Sequence, residues 1–328
     1  MDTAMARAAL APAGGSFSQR TLAQLKATLE GLRPYFDDES VHEIMVNGPH
    51  DVFVLRQGRK HQVKVQLSAG EIAAAITLLA TMASQEVGDK SNRRVLSGRL
   101  PGYRVEAILP PVAVKGPSMC IRRHASRVYT MQEYVGTGVI SEHYAEVITA
   151  AVQQRDNLLI VGGTGSGKTT LMNTVLTAIP ADERLFVIET VQELQVKSPN
   201  CVLVECDAET VTPRMAVRTA MRYAPDRIIV GELRGPEAYD WLDGANTGHP
   251  GSAATIHANS APRALPRLEN LLLMAGMGVP HLSLQASIAD TVNLMVYIER
   301  RGDKRSVSQI SRLHGFDRAK GEYEIENL

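Results

Sequence analysis

The feature that most constrains this chain is the octet Gly162-Gly163-Thr164-Gly165-Ser166-Gly167-Lys168-Thr169, which matches G-x-x-x-x-G-K-[ST]. An apolar run at 157–161 leads into it, and a segment with helical character, 168–178, leads out. A strand that turns through glycines into a helix admits few folds. The glycines let consecutive backbone N–H groups converge on one point, and the helix aims its positive end at the same point. The result is a cradle for the phosphates of a nucleoside triphosphate. Gly163, Thr164, Gly165, Ser166, Gly167, Lys168, Thr169 and Thr170 are the expected ATP-binding set. Lys168 is expected to reach the β- and γ-phosphates, and the Thr169 hydroxyl to ligate Mg²⁺.

Further apolar runs at 185–189 and 227–230, separated by helical segments, read as strands buried on both faces. Residues 141–328 are therefore expected to form an α/β unit around a parallel sheet, closed by a polar-faced hairpin at 306–314 and 322–326. Upstream the pattern differs. A helix at 19–33 is followed by short strands at 43–46, 52–56 and 62–66, a helix at 69–84, and strands at 103–109 and 118–122. This predicts a smaller α+β domain over 17–125. Residues 1–16, rich in Ala and Gly, are expected to be a flexible leader. Residues 126–140, with Gly136-Thr137-Gly138, are expected to be the linker. A length of 328 residues, more than one core usually organises, agrees with two domains.

Composition removes several classes of function. Lys+Arg and Asp+Glu number 35 each, so no global field draws the chain to nucleic acid or anionic lipid. Cys120, Cys201 and Cys206 are too few for a disulfide framework or a four-ligand zinc site. The longest apolar stretch, 72–83, falls short of the roughly 20 residues that span a bilayer. The N-terminus lacks a basic segment followed by an apolar core. A soluble protein of the reducing cytoplasm is expected.

Hydrolysis needs more than a phosphate cradle. Arg227-Ile228-Ile229-Val230-Gly231-Glu232 has the form of a Walker B strand, with Gly231 where an Asp usually stands. Glu232 is therefore expected to polarise the attacking water alone, and to contact Mg²⁺ through water at most; the alternative is a cap on the next helix. Glu189 ends another apolar strand, and Glu193 follows it. Ligands gather at the carboxyl ends of parallel strands, so both are candidates for the Mg²⁺ and water shell, or else an ordinary solvated pair. His249 and His257 bracket a small-residue strand, as close packing beside a phosphate would require. Arg214, Arg218 and Arg222 share one helical face, either a solvated stripe or a subunit interface. Arg104, Arg122 and Arg123 lie on strands of the first domain, and spacing alone does not connect them to ATP.

Together these motifs resemble the secretion (traffic) ATPases of type II and type IV systems, most closely their conjugal-transfer members. The resemblance rests on the phosphate loop and on Glu43-Ile44-Met45-Val46-Asn47-Gly48, Gly102-Tyr103-Arg104-Val105, Ile121-Arg122-Arg123, Ile188-Glu189 with Glu193-Leu194, Gly231-Glu232-Leu233-Arg234-Gly235 and Thr255-Ile256-His257-Ala258-Asn259. It implies a RecA-like C-terminal domain, a homohexameric cytoplasmic ring, and ATP hydrolysis that powers a conjugative DNA-transfer apparatus. It also implies inner-membrane machine components as partners, peripheral attachment through them, and no direct sequence-specific nucleic-acid binding. A pilus or type II secretion motor is the nearest alternative. Residue by residue, it puts Glu189 and Glu193 in the acidic box, Glu232 in Walker B, and His257 in the box that senses the γ-phosphate. Arg104 and Arg122 become the arginines that reach the phosphates when the domains close. Thr190 departs from the family's usual Asp, which shifts weight to Glu232.

Overall fold

The computed structural model describes residues 14–82, 93–123, 127–207, 210–302 and 304–328. It divides the chain into two compact units, Met1–Ser126 and Arg127–Leu328. The expected leader lies outside the described residues up to residue 13; 14–16 already belong to the first helix.

The first unit runs α1 (Gly14–Thr28), a single 3₁₀ turn, α2 (Arg33–Asp37), β1 (Val41–Val46), β2 (Val52–Arg56), β3 (Arg59–Val63), α3 (Ala69–Met82), β4 (Val95–Leu100), β5 (Tyr103–Ile108) and β6 (Ser118–Arg123). The helix predicted over 19–33 thus ends at Thr28. Leu29 leaves the helical region at φ −110°, ψ 49°, and Pro34 sits in the first turn of α2, where its missing N–H costs nothing. The six strands form one antiparallel sheet in the order β3-β2-β1-β6-β5-β4. The core takes Leu25 from α1, Leu29 just beyond it, Ile72, Ile76 and Leu79 from α3, and alternate residues such as Ile44, Val46, Val105 and Ile121 from the strands. Each such side chain contributes roughly 1.5–3 kcal/mol when fully buried.

The second unit continues with α4 (Met131–Gly136), α5 (Glu142–Gln153), β7 (Leu158–Val161), α6 (Lys168–Leu176), β8 (Leu185–Glu189), β9 (Cys201–Glu205), α7 (Pro213–Ala220), β10 (Arg227–Leu233), α8 (Glu237–Asn246), β11 (Ala253–Ile256), α9 (Ala264–Leu273), α10 (His281–Thr291), β12 (Leu294–Arg301), β13 (Lys304–Asp317) and β14 (Glu322–Asn327). Its sheet has the order β14-β13-β12-β7-β11-β10-β8-β9. The six strands from β12 to β9 are parallel, and β13 and β14 form the antiparallel hairpin. Alternation along each strand feeds two cores. Leu159, Val161, Phe186, Ile188 and Val230 face α7 to α10, while Leu158, Ile160, Val187 and Ile229 face α4 to α6. β12 has no counterpart in the sequence reading, although Leu294-Met295-Val296-Tyr297-Ile298 is the apolar run that a central parallel strand requires.

The stretch expected as linker does not run free within the second unit. α4 opens with a capping box between Thr130 and Glu133, and Tyr134 and Ile140 are buried in the α4–α6 core. Thr174 Oγ1 donates to the Tyr129 carbonyl at 2.8 Å, and the Val307 N–H donates to the Val139 carbonyl at 2.8 Å. Met131, Val135 and Val139 pack beside the buried Tyr134 and Ile140, contacts that a window short of periodic residues does not reveal.

Candidate nucleotide site

Four neighbouring parallel strands, β12-β7-β11-β10, surround the phosphate loop, with β8 next in line. Gly167 adopts φ +104° and is the N-cap of α6, a left-handed position that glycine occupies without strain. Lys168, the first residue of α6, is buried, and its ammonium donates to the carbonyls of Gly162 and Gly163 at 3.0 Å each. Thr169 and Thr170 follow in the first turn of α6, half-buried, while Thr164 and Gly165 form the exposed tip of the loop. Ser166 Oγ is buried without a hydrogen-bond partner. An unsatisfied buried hydroxyl costs about 1–3 kcal/mol, so the loop has an unfilled demand for an acceptor, as a phosphate-holding loop would.

β10 supplies the carboxylate. Its register against β11 slips between Val230 and Leu233, so that Gly231 and Glu232 sit on a bulge. A bulge turns the strand and re-aims its side chains. Glu232 Oε1 lies 2.7 Å from His257 Nε2, and Glu232 Oε2 lies 2.6 Å from Arg234 Nη2. Lys168 Nζ lies 3.2 Å from His257 Nδ1 and 3.5 Å from Nε2, so the ammonium sits against the imidazole. Burial, and then the neighbouring Lys168 ammonium, hold the imidazole pKa below its ordinary value of 6.5. A neutral ring has one donor and one acceptor. With its proton on Nε2 the neutral ring donates to Glu232, while the ammonium packs against the ring. Lys168, His257 and Glu232 thus form one contiguous polar cluster.

Glu189, at the end of β8, is buried, and its Oε1 accepts the backbone N–H groups of Glu193 at 3.0 Å and Leu194 at 3.1 Å. It braces the loop that follows its own strand. Its side chain also explains Gly231: a Cβ at 231 would lie 2.8 Å from Glu189 Cγ. The acid usual in that place is missing because Glu189 fills the space. Glu193 accepts from Asn173 Nδ2 through its carbonyl at 3.2 Å, and its carboxylate contributes to the field at Arg234. Among the described residues, no group of three or more His, Cys, Asp and Glu side chains is placed to hold a metal ion.

The first-unit arginines separate by role. Arg104 on β5 and Arg122 on β6 are directly opposed across the strands. Arg104 donates to Glu106 Oε1, while Arg122 is exposed. Arg123 instead donates to the carbonyls of Phe36, Asp38 and Val41 and stacks on Tyr103, which makes it a structural residue. In the second unit Arg214 and Arg218 both clamp Asp240 of α8, at 2.8 and 2.6 Å. The stripe read as solvated face or subunit interface is, for those two, a staple inside the chain. Two residues near the loop were not singled out from sequence. Arg234 stands just past the end of β10, two positions after Glu232, within the segment Gly231-Glu232-Leu233-Arg234-Gly235. Arg305 packs its side chain beside Gly167, and no sequence signal joins positions so far apart.

A parallel sheet with a glycine loop at its centre, a lysine inside that loop, and a carboxylate on the adjoining strand edge defines a P-loop nucleotide-binding protein. The family described as "Type II/IV secretion system protein" matches residues 27–305, and the chain belongs to that family. It is 40% identical over 296 residues to the probable conjugal transfer protein TrbB of Sinorhizobium fredii (strain NBRC 101917 / NGR234), covering 89% of this chain and 88% of the relative. To the type IV secretion system protein VirB11 of Bartonella henselae it is 29% identical, over 90% of this chain and 94% of that one. The solved structure of the Legionella pneumophila ATPase DotB shares the fold, with a TM-score of 0.59 at 20% identity, over 89% of this chain and 79% of that one. Among the described residues no helix is long and apolar enough to cross a membrane.

Proposed function

We propose that this chain is the ATP-hydrolysing motor of a conjugative type IV secretion apparatus, working as a cytoplasmic homohexamer attached to the inner membrane through machine components. The observation that carries the chemistry is the Lys168–His257–Glu232 cluster at the open end of the sheet. The conjugal-transfer and secretion names of its relatives support the cellular role.

The reaction is ATP + H₂O → ADP + phosphate, with no covalent protein intermediate. The loop N–H groups and Lys168 hold the phosphates, the ammonium exchanging its bonds to the Gly162 and Gly163 carbonyls for phosphate oxygens. Glu232, oriented by His257 on one oxygen and Arg234 on the other, accepts a hydrogen bond from the attacking water and aims it at the γ-phosphorus. His257 connects that carboxylate to the lysine, so a change at the γ-phosphate is transmitted to the water-holding group. Mg²⁺ arriving with the nucleotide, held by Thr169 Oγ1, would neutralise charge on the β- and γ-oxygens. Glu189 and Glu193 act from behind, fixing the loop after β8 and the charge around Arg234. Arg104 and Arg122 are assigned to phosphate contact from the first unit on the strength of the resemblance.

Lys168→Ala tests the reading by steady-state phosphate release. Turnover is expected to fall by roughly 10²–10³-fold or more, as when a preorganised charge-stabilising group is removed. Turnover at the parent rate would overturn it.

A further inference from the structure

Behind His257, outside the phosphate loop, lies a groove of about 250 Å³ lined by His257, Ala258, Asn259, Arg263, Pro266, Arg267 and Asn270. The groove's own surface is mainly apolar, and Asn259, Arg263, Arg267 and Asn270 are exposed residues along it. No lining residue is acidic, and His257 is its only aromatic ring. Arg263 immediately precedes α9 and Arg267 lies one turn along it, so the two guanidiniums share a face. Like charges at that spacing repel each other. Several arginines of the unit, among them Arg155, Arg214, Arg218, Arg227, Arg234 and Arg312, meet a carboxylate. Among the described residues no carboxylate pairs with Arg263 or Arg267.

We infer that this groove is a docking site for an acidic side-chain pair on a segment of a partner protein. Two adjacent guanidinium forks match two carboxylates bidentately, and the carboxamides of Asn259 and Asn270 add donors at the rim. The volume is below that of sites that enclose drug-sized ligands, and it suits one or two side-chain heads. A strand of nucleic acid would want flat apolar rings on which to stack its bases, and the lining offers none beyond the imidazole. His257 is the wall that the groove shares with the nucleotide site. A seated carboxylate therefore lies beside the imidazole that holds Glu232, a consequence that rests on the function proposed above. The docking itself does not depend on turnover.

Binding of fluorescein-labelled hexaglutamate to the full chain, measured by anisotropy at low salt with saturating MgADP to occupy the phosphate loop, tests the proposal. Hexaglutamate is expected to bind and hexaglutamine not to. Arg263→Gln/Arg267→Gln, both at exposed positions, is expected to weaken binding at least about tenfold at unchanged thermal stability. No binding, or equal binding by parent and variant, would overturn the assignment. So would tighter, arginine-dependent binding of a hexathymidylate, which would make the groove a phosphate-backbone site. Loss of self-association in the variant by sedimentation would give the groove to a second copy of this chain and overturn it equally. None of these readouts uses ATP turnover, so failure here leaves the ATPase reading standing.

Discussion

At the residue scale the site is governed by a competition for one small volume between Glu189 and the side chain that position 231 lacks. Gly231→Asp would restore the acid usual in a Walker B strand, yet its Cβ would stand 2.8 Å from Glu189 Cγ and its charge beside a buried carboxylate. The expected outcome is a loss of about 1–3 kcal/mol in urea unfolding together with lower turnover, whereas recovered or raised turnover would show that Glu189 yields. Glu232→Gln keeps the shape but has one acceptor oxygen for the two donors, His257 and Arg234, and is a weaker acceptor for water, so nucleotide binding should persist while hydrolysis drops about 10²–10⁴-fold. His257 adds a pH signature. Its pKa is lowered in the fold, so the neutral ring stabilises the native state fully above the unfolded value of 6.5. That contribution is lost as pH falls below 6.5 towards the lower folded value. The stability difference between the parent and His257→Gln should therefore shrink from pH 7 to pH 5; a difference that grows would mean that the ring is held as imidazolium.

Elements are placed by pairs that sequence shows only half of. Arg214 and Arg218 on α7, with Arg222 beyond its end, are visible as a periodic stripe, but Asp240, which the first two hold, lies on another helix and is almost fully buried. Asp240→Asn should cost about 1.5–3 kcal/mol by denaturant unfolding, because it strips charge from two hydrogen bonds and leaves Arg214 and Arg218 facing each other. Arg218→Ala should cost less, since that guanidinium is half exposed. The same asymmetry decides what was legible. The phosphate loop, β8, β10, and the Glu232 and His257 positions could be read because their chemistry is local: glycine freedom, an apolar run, an acid at its end. The bulge that aims Glu232, the brace that Glu189 gives its loop, and the burial of Tyr134 depend on neighbours in space, and none leaves a periodic trace. β12 leaves only a weak trace, its apolar run being short and followed at once by charged residues.

Across the whole molecule each unit has a core of its own, one under a six-stranded antiparallel sheet and one on the two faces of an eight-stranded sheet. Units with separate cores are expected to melt separately, giving two calorimetric transitions. The phosphate loop belongs to the second, so a non-hydrolysable ATP analogue with Mg²⁺ should raise that transition. At a hundredfold excess over Kd the linkage is worth about 2.7 kcal/mol. In a unit of this size that corresponds to a rise of roughly 5–10 °C. Lys168→Ala should remove the rise. The first transition then reports on Arg104 and Arg122. If they reach the phosphates, as the family resemblance implies, the analogue binds both units together and must raise the first transition too; Arg104→Ala and Arg122→Ala should cancel that part alone. If the first transition stays fixed while the second moves, the nucleotide is held by one unit, and the two arginines belong instead to the open face of their own sheet.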